Sequence, residues 1–196
     1  NNAVELVVAN DIILLVTPSA FVSDILDQLS NEQLAGKKII SAIKGVEPNS
    51  LKIVGEYLFE NKGVSQDDFG VITGPCHAEE VAQEKLSYLT FASTNNAFCE
   101  QMCVALDCSY IKVTPSADIY GTEISAVLKN VYAIAAGMCH SLGYGDNFQA
   151  VLVSNAIREI KRFIAAVHPI DRDTDDSAYL GDLLVTAYSQ YSRNRT

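Results

Sequence analysis

The sequence predicts an α/β fold in which a partial Rossmann-like parallel sheet is followed by an all-helical domain. Over residues 1–116, short apolar runs alternate with segments of helical periodicity, which is typical of a doubly wound sheet. After Pro115 the pattern changes, and no strand-like run appears between residues 118 and about 167. We therefore expect two partial domains, residues 1–116 and residues 117–196, and 48% hydrophobic residues supply ample core.

The first part contains five segments with the length and composition of buried strands. The run DIILLVT (11–17) is continuously apolar and ends at Pro18, as expected for a strand covered on both faces. Helical spacing of apolar residues follows over 19–30, with Ser19 as a suitable N-cap. The remaining strands are expected at 37–45, 69–75, 86–93 and 110–116, and the remaining helices at 49–61, 78–85 and 95–106.

The second part is expected to contain two long helices. Apolar residues between Ile124 and Met138 recur at the i, i+3, i+4, i+7 spacing of a buried helix. A second helix, roughly 147–167, follows the turn GYGD (143–146). The acidic run DRDTDD (171–176) is most simply a solvated loop or a helix cap.

The net charge and the cysteine content reduce the range of functions that this protein could have. The net charge is −10 and the pI is about 4.6, which argues against a nucleic-acid partner bound through counterion release. No apolar run reaches the roughly 18 residues that span a bilayer, and no signal-peptide pattern opens the chain, so we expect no membrane partner and a cytoplasmic location. Five cysteines without paired CxxC spacing are expected to be free thiols, and no metal site is predicted.

Two clusters in the first part contain residues that are suited to binding a ligand. Lys44 is placed at the end of a predicted central strand, where open α/β sheets bind ligands, although its position alone favours a surface lysine at a strand-to-loop exit. The segment TGPCHAEEVA (73–82) is a strand, a Gly-Pro turn and a helix start, whose free N–H groups suit an anion. A plain turn is the alternative for this segment.

Two further clusters lie in the second part. Lys129 is placed within an apolar helix, where an ammonium group is costly unless it is paired, reaches a cavity or extends to solvent. Asp182 is a possible partner for it, and Arg193 with Asn194 can hold a phosphate, unless this tetrapeptide SRNR is a solvated turn. Taken together, the clusters suit reduction of a carbonyl on a small phosphorylated substrate, since the alkoxide formed must be protonated.

The motifs that carry this chemistry resemble the NAD(P)-dependent glycerol-3-phosphate dehydrogenases, in their bacterial form. They occur in the family's order and at approximately its spacings through nearly the whole chain. The matching segments are IKG (43–45), GPCHAEEVA (74–82), EISAVLKNVYAIAAG (123–137), LGYGDN (142–147) and GDLLVT…SRNR (181–195).

The resemblance implies a dinucleotide-binding domain (1–116) and a helical substrate domain (117–196) similar to the C-terminal domain of 6-phosphogluconate dehydrogenase. It implies interconversion of sn-glycerol 3-phosphate and dihydroxyacetone phosphate with NAD or NADP, feeding glycerophospholipid synthesis, and a homodimer. Lys129 would be the proton-transfer lysine, Lys44 the second active-site lysine and Asp182 the carboxylate. The implied substrate-binding residues are Lys44, Gly74, Cys76, Lys129, Asn130, Asp182, Ser192, Arg193 and Asn194, and the implied cofactor-binding residues are Phe21, Lys44, Ala78 and Arg193.

The sequence departs from the family pattern in several places. The opening strand, the Gly-rich GxGxxG turn and the helices expected after SRNR are absent from the 196 residues, so we expect this chain alone to be poorly active. Cys76 stands where bacterial relatives usually carry Ser, and a thiol is the weaker hydrogen-bond donor. The alternatives are another dehydrogenase of this architecture that acts on small hydroxy acids, and a non-catalytic fragment or binding module.

Overall fold

The computed structural model describes residues 2–189, which form a five-stranded sheet and an adjoining group of helices. The order of the strands in the sheet follows the chain, and all five were expected to run parallel to their neighbours. The strands are β1 (Ile12–Leu15), β2 (Lys38–Ser41), β3 (Phe69–Thr73), β4 (Ser87–Ala92) and β5 (Ile111–Ser116). This arrangement confirms the Rossmann-like sheet and the positions of all five predicted strands. The expectation that the first strand is covered on both faces was wrong, since β1 lies at the edge of the described sheet and exposes Ile12 and Leu14 on one face.

One strand direction differs from the expectation of a fully parallel sheet. The β1/β2, β2/β3 and β4/β5 pairs are parallel, whereas β4 runs antiparallel to β3. The connection between them, residues 74–86, contains only the four-residue helix α5 (Ala78–Val81). A parallel pair needs a crossover, usually a full helix, that returns the chain to the same end of the sheet. Here the short connection lets β4 run back alongside β3.

The helices of the first part agree only in part with those predicted. The helices expected over 19–30, 49–61 and 78–85 are shorter, as α2 (Val22–Leu26), α4 (Val54–Asn61) and α5, whereas α6 (Asn96–Leu106) matches its prediction to one residue. The sequence analysis did not predict α1 (Ala3–Ala9) and α3 (Asn31–Leu34). The helix expected from residue 49 starts at Val54 because the buried Glu47 carboxylate accepts backbone hydrogen bonds from Asn49 (3.1 Å) and Ser50 (2.6 Å). These bonds fold residues 47–50 into a turn and delay the start of the helix.

The second part is helical, as predicted. It consists of α7 (Ile119–Ser141), α8 (Asp146–Val167), a π-helical turn (Ser177–Gly181) and α9 (Asp182–Tyr188). Asp118 caps α7 through a 2.9 Å bond from the Gly121 N–H, and it also accepts hydrogen bonds from Arg172 (2.7 Å) and Tyr179 (2.6 Å). This buried network holds the acidic loop and the π turn against the start of α7. Within residues 2–189, no helix is long and apolar enough to cross a membrane.

Two larger apolar cores flank the region where the parts meet. One packs β1–β3 with α1–α4, and the other packs α7, α8 and α9 together around Ile160, Ile164 and Leu183, none of which is exposed. The cores interlock, since Ile119 of α7 belongs to the sheet core and Ile53 to the helical core. The start of α7 is thereby fixed against the sheet, which sets the position of every side chain further along that helix.

Candidate active site

A cleft of about 910 Å³ opens between the sheet and the helical part. The carboxyl ends of β1 and β2 form one wall, the Gly-Pro turn after β3 forms another, and α7 and α9 close the far side. Parallel strands expose their carboxyl ends at the same edge, where open α/β sheets bind ligands. The lining residues are Val16, Thr17, Pro18, Ser19, Ala42, Ile43, Lys44, Cys76, His77, Ala78, Glu79, Lys129, Asn130 and Thr186.

Three charged side chains meet at this cleft. The Lys129 ammonium contacts Asp182 Oδ1, and the Lys44 Nζ lies 3.6 Å from Asp182 Oδ2. Lys129 is 3% exposed and Asp182 1%, whereas the Lys44 side chain retains about a third of its exposure. Lys129 is in the middle of α7 and Asp182 is the first residue of α9, so the packing of these helices brings the buried pair together.

The electrostatic setting favours a neutral amine at Lys129. Burial lowers the pKa of Lys129 to about 7, the nearby Lys44 charge lowers it further, and Asp182 opposes both effects. Lys129 therefore exchanges a proton near neutral pH, which is the condition for a general acid or base. Lys44 brings a second cationic side chain to the same carboxylate.

Asn130 connects the two walls of the cleft. Its side-chain amide donates one hydrogen bond to the backbone carbonyl of Lys44 (3.1 Å) and another to the carbonyl of Ala126 within α7 (3.2 Å). The first bond fixes the turn after β2 against α7. Asn130 therefore helps to set where Lys44 leaves the sheet.

The Gly-Pro turn shapes the cleft from the side of β3. Gly74 has a φ of +124°, and a Cβ at this position would lie 2.8 Å from the Tyr88 carbonyl oxygen, so only glycine fits. Cys76 and Ala78 follow it and line the cleft. Burial raises the pKa of the Cys76 thiol, with Lys44 acting in the opposite direction, and all five cysteines are free, as predicted.

Some of the predicted site residues are not among those that line the cleft in the described structure. Phe21 ends the short 3₁₀ turn after β1 and is 56% exposed. Ser192, Arg193 and Asn194 lie outside the described residues 2–189, so the structure does not place them.

Two residues of the site were missed from the sequence. Thr73 Oγ1 donates a 3.2 Å hydrogen bond to Asp182 Oδ2, and Thr186 lines the cleft while its hydroxyl donates to the Asp182 carbonyl (2.6 Å). Threonine is common in strands and helices, so neither type nor spacing indicates a role. The only available signals are the position of Thr73 beside the Gly-Pro turn and of Thr186 one helical turn after Asp182.

The fold and the site together define a class: dehydrogenase folds in which a Rossmann-like sheet and a helical unit share one cleft. Comparison of the sequence with protein families narrows this class. The family model described as "NAD-dependent glycerol-3-phosphate dehydrogenase N-terminus" matches residues 1–99, and the model for the C-terminus of the same family matches residues 118–196. The chain belongs to the NAD-dependent glycerol-3-phosphate dehydrogenase family.

Individual relatives agree with this assignment. The chain is 36% identical to the glycerol-3-phosphate dehydrogenase [NAD(P)+] of Azotobacter vinelandii, over 95% of this chain and 54% of that protein. It is 34% identical to the Exiguobacterium enzyme of the same name, over 98% of this chain and 57% of that protein. The chain thus spans about half the length of the curated relatives it matches.

Solved structures of similar proteins have the same fold. The glycerol-3-phosphate dehydrogenase of Coxiella burnetii superposes with a TM-score of 0.86 at 28% identity, over 94% of this chain and 56% of that one. The DsGPDH structure of Dunaliella salina gives a TM-score of 0.89 at 27% identity, over 98% of this chain and 33% of that one. These similarities extend across both the sheet and the helical part.

Proposed function

We propose that this chain contributes the reaction site of an enzyme that interconverts sn-glycerol 3-phosphate and dihydroxyacetone phosphate with NAD or NADP. The observation that carries the proposal is the buried contact between Lys129 and Asp182 at a cleft bordered by Lys44 and the strand ends. Residues 1–116 would form the dinucleotide-binding part and residues 117–196 the substrate part.

Lys129 would act as the proton-transfer group. In the reducing direction its ammonium donates a proton to the carbonyl oxygen as that oxygen gains negative charge, and in the oxidising direction the neutral amine removes the proton from the hydroxyl. A pKa lowered to about 7 makes both forms available near neutrality. Asp182 holds the Nζ in place and offsets its charge, while Lys44 stabilises the developing alkoxide.

The cofactor fits the cleft only in part. The parallel ends of β1 and β2 open into the cleft where the family's nicotinamide cofactors are expected, and Phe21, Lys44, Ala78 and Arg193 would contact the cofactor. When bound, the cofactor supplies or accepts a hydride at the substrate carbon. The sequence has no GxGxxG turn to hold the pyrophosphate, and we therefore expect weak cofactor binding by this chain alone.

The substrate phosphate would be held by the SRNR segment. Arg193 offers a planar pair of donors, and Ser192 and Asn194 add neutral ones. Gly74, Cys76 and Asn130 would contact the three-carbon part of the substrate from the turn and from α7. We further propose that the reaction supplies the backbone of glycerophospholipids. The protein would be cytoplasmic and would form a homodimer.

Calorimetric titration of this chain with sn-glycerol 3-phosphate tests the substrate site. Glycerol and inorganic phosphate serve as matched probes, and we expect both to bind more weakly than the complete substrate because each offers only part of the contacts. Equal affinity for inorganic phosphate and sn-glycerol 3-phosphate would leave only an anion site. Absence of binding by all three would favour a non-catalytic module.

Turnover is measured in an extended protein, in which the segments of the Azotobacter vinelandii relative outside the matched region are joined to this chain. We expect oxidation of NADH or NADPH with dihydroxyacetone phosphate, and a loss of about 10²–10⁴-fold in kcat for Lys129→Met. Lys161→Met, on the exposed face of α8, is the control. Turnover of a non-phosphorylated hydroxy acid instead would favour the alternative dehydrogenase.

A further inference from the structure

The two carboxylate oxygens of Asp182 have different partners. Oδ1 contacts the Lys129 ammonium, whereas Oδ2 accepts a 3.2 Å hydrogen bond from Thr73 Oγ1 and lies 3.6 Å from the Lys44 Nζ. Thr73 is 1% exposed, so solvent has little access to this bond. The orientation of the carboxylate therefore decides whether each lysine faces one of its oxygens.

Two donors, Thr73 and Lys44, face Oδ2 of Asp182, and Thr73 is the more rigid of them. It is the last residue of β3, paired with Thr90 of β4, and the constrained Gly74 turn follows it directly. Its β-branched side chain has restricted χ1 freedom. Lys44, in contrast, reaches Oδ2 with a long side chain that is about one-third exposed. Thr73 is therefore better suited to fix the angle of the carboxylate.

Such an anchor is needed because an aspartate carboxylate rotates easily. The terminal torsion of Asp is broad and has no sharply preferred staggered state. Asp182 also begins a helix of only seven residues, directly after the π-helical turn. Without a fixed donor, the carboxylate could rotate to intermediate angles at which its two oxygens no longer face Lys129 and Lys44 at the same time.

We propose that Thr73 is a positioning residue for the dehydrogenase reaction, which orients Asp182 so that Oδ1 faces Lys129 and Oδ2 faces Lys44. The inference rests on the proposed function, in which Lys129 transfers the proton. Among the described contacts the Thr73 hydroxyl bonds to Asp182 and to neither lysine, so Thr73 would act through Asp182.

Paired substitutions in the extended protein separate the hydroxyl from the methyl group of Thr73. Thr73→Val removes the hydroxyl, and we expect kcat to fall about tenfold while KM changes by less than about twofold. Thr73→Ser keeps the hydroxyl and restores kcat. Thr90→Val changes a buried threonine that makes no hydrogen bond to Asp182 among the described contacts, and it leaves kcat unchanged. A Thr73→Ser variant as slow as Thr73→Val would overturn the proposal.

The Asp182→Asn background tests whether Thr73 acts through Asp182. There we expect Thr73→Val to change the residual kcat by less than about twofold, since the charged carboxylate that Thr73 orients is gone. The same loss of kcat in both backgrounds would show that Thr73 acts by another route, and the proposal would be wrong.

Thermal unfolding of this chain keeps the inference separate from the proposed function. We expect Thr73→Val to lower Tm by about 2–4 °C in the parent. In Asp182→Asn the loss should be about half as large, because hydrogen bonds to charged acceptors are roughly twice as strong as neutral ones. An extended protein without turnover, together with this difference in Tm, would refute the reaction and retain the Thr73–Asp182 coupling. Equal Tm losses in both backgrounds would refute the coupling.

Discussion

The lowered pKa of Lys129 makes the stability of the folded chain depend on pH in a defined direction. The folded pKa is about 7 and the ordinary value is 10.5, so between these values the unfolded chain binds more protons at this site than the folded chain. Stability contributed by this site therefore rises with pH through that window. A complete one-proton difference corresponds to about 1.4 kcal/mol per pH unit.

The perturbation is Lys129→Met, which keeps the length of the side chain and removes the amine. Other groups titrate in the same range, so the quantity to compare is the free energy of unfolding of the parent minus that of the variant. Between about pH 7 and about pH 9 this difference should rise by about 2–3 kcal/mol. In this window the variant should also be less stable than the parent, because Asp182 is left buried and keeps, among the described ion pairs, Lys44 as its cationic neighbour.

Urea unfolding of both proteins, followed by circular dichroism at several pH values, measures this difference. Lys161→Met on the surface of α8 is the matched control, and its curve should run parallel to that of the parent. Parallel curves for the parent and Lys129→Met would refute the reasoning, because they would mean that Lys129 has the same pKa folded and unfolded.

Three further predictions concern other buried features. Burial raises the pKa of Glu123 from 4.5 to about 8, so its contribution to stability is lost as pH rises from about 4.5 to about 8, and urea unfolding should show that Glu123→Gln removes this slope. Gly74→Ala should lower stability by about 1–3 kcal/mol because of its positive φ, whereas Gly145→Ala, in open space, should change Tm little. Tyr179→Phe should cost about 1–2 kcal/mol in chemical unfolding, since Asp118 loses one buried donor; an unchanged midpoint would contradict this.

The parts of the fold that follow from local patterns were predictable. Short apolar segments indicated all five strands, the first three of them ended by Gly or Pro, and helical spacing indicated α7 and α8. The direction of β4 was not predictable in this way, because it depends on how a short connection crosses the sheet. The late start of α4 was also missed, since the Glu47 turn is a three-dimensional hydrogen-bond pattern.

The site, too, could be predicted only where a residue stands out in its local sequence. Lys129 was noticeable because an ammonium group within an apolar helix is costly, and Lys44 because it follows a strand. Thr73 has no such signal, since its partner Asp182 is 109 residues away in the sequence. Long-range hydrogen bonds of this kind are set by packing, and neither periodicity nor composition encodes them. The roles assigned to these residues stay predictions.

The distance along the chain between the charged residues has a consequence for the nascent protein. Lys44 leaves the sheet, Lys129 lies in α7, and Asp182 starts α9, so the cluster forms only when late segments dock on early ones. Contacts of such high sequence separation carry a loop-closure cost and form late in folding. Until then Lys129 lacks the burial that lowers its pKa, and its amine is protonated at neutral pH. The lowered pKa of Lys129 is thus a property of the completed fold, which arises only after the segment that contains Asp182 has been synthesised and packed.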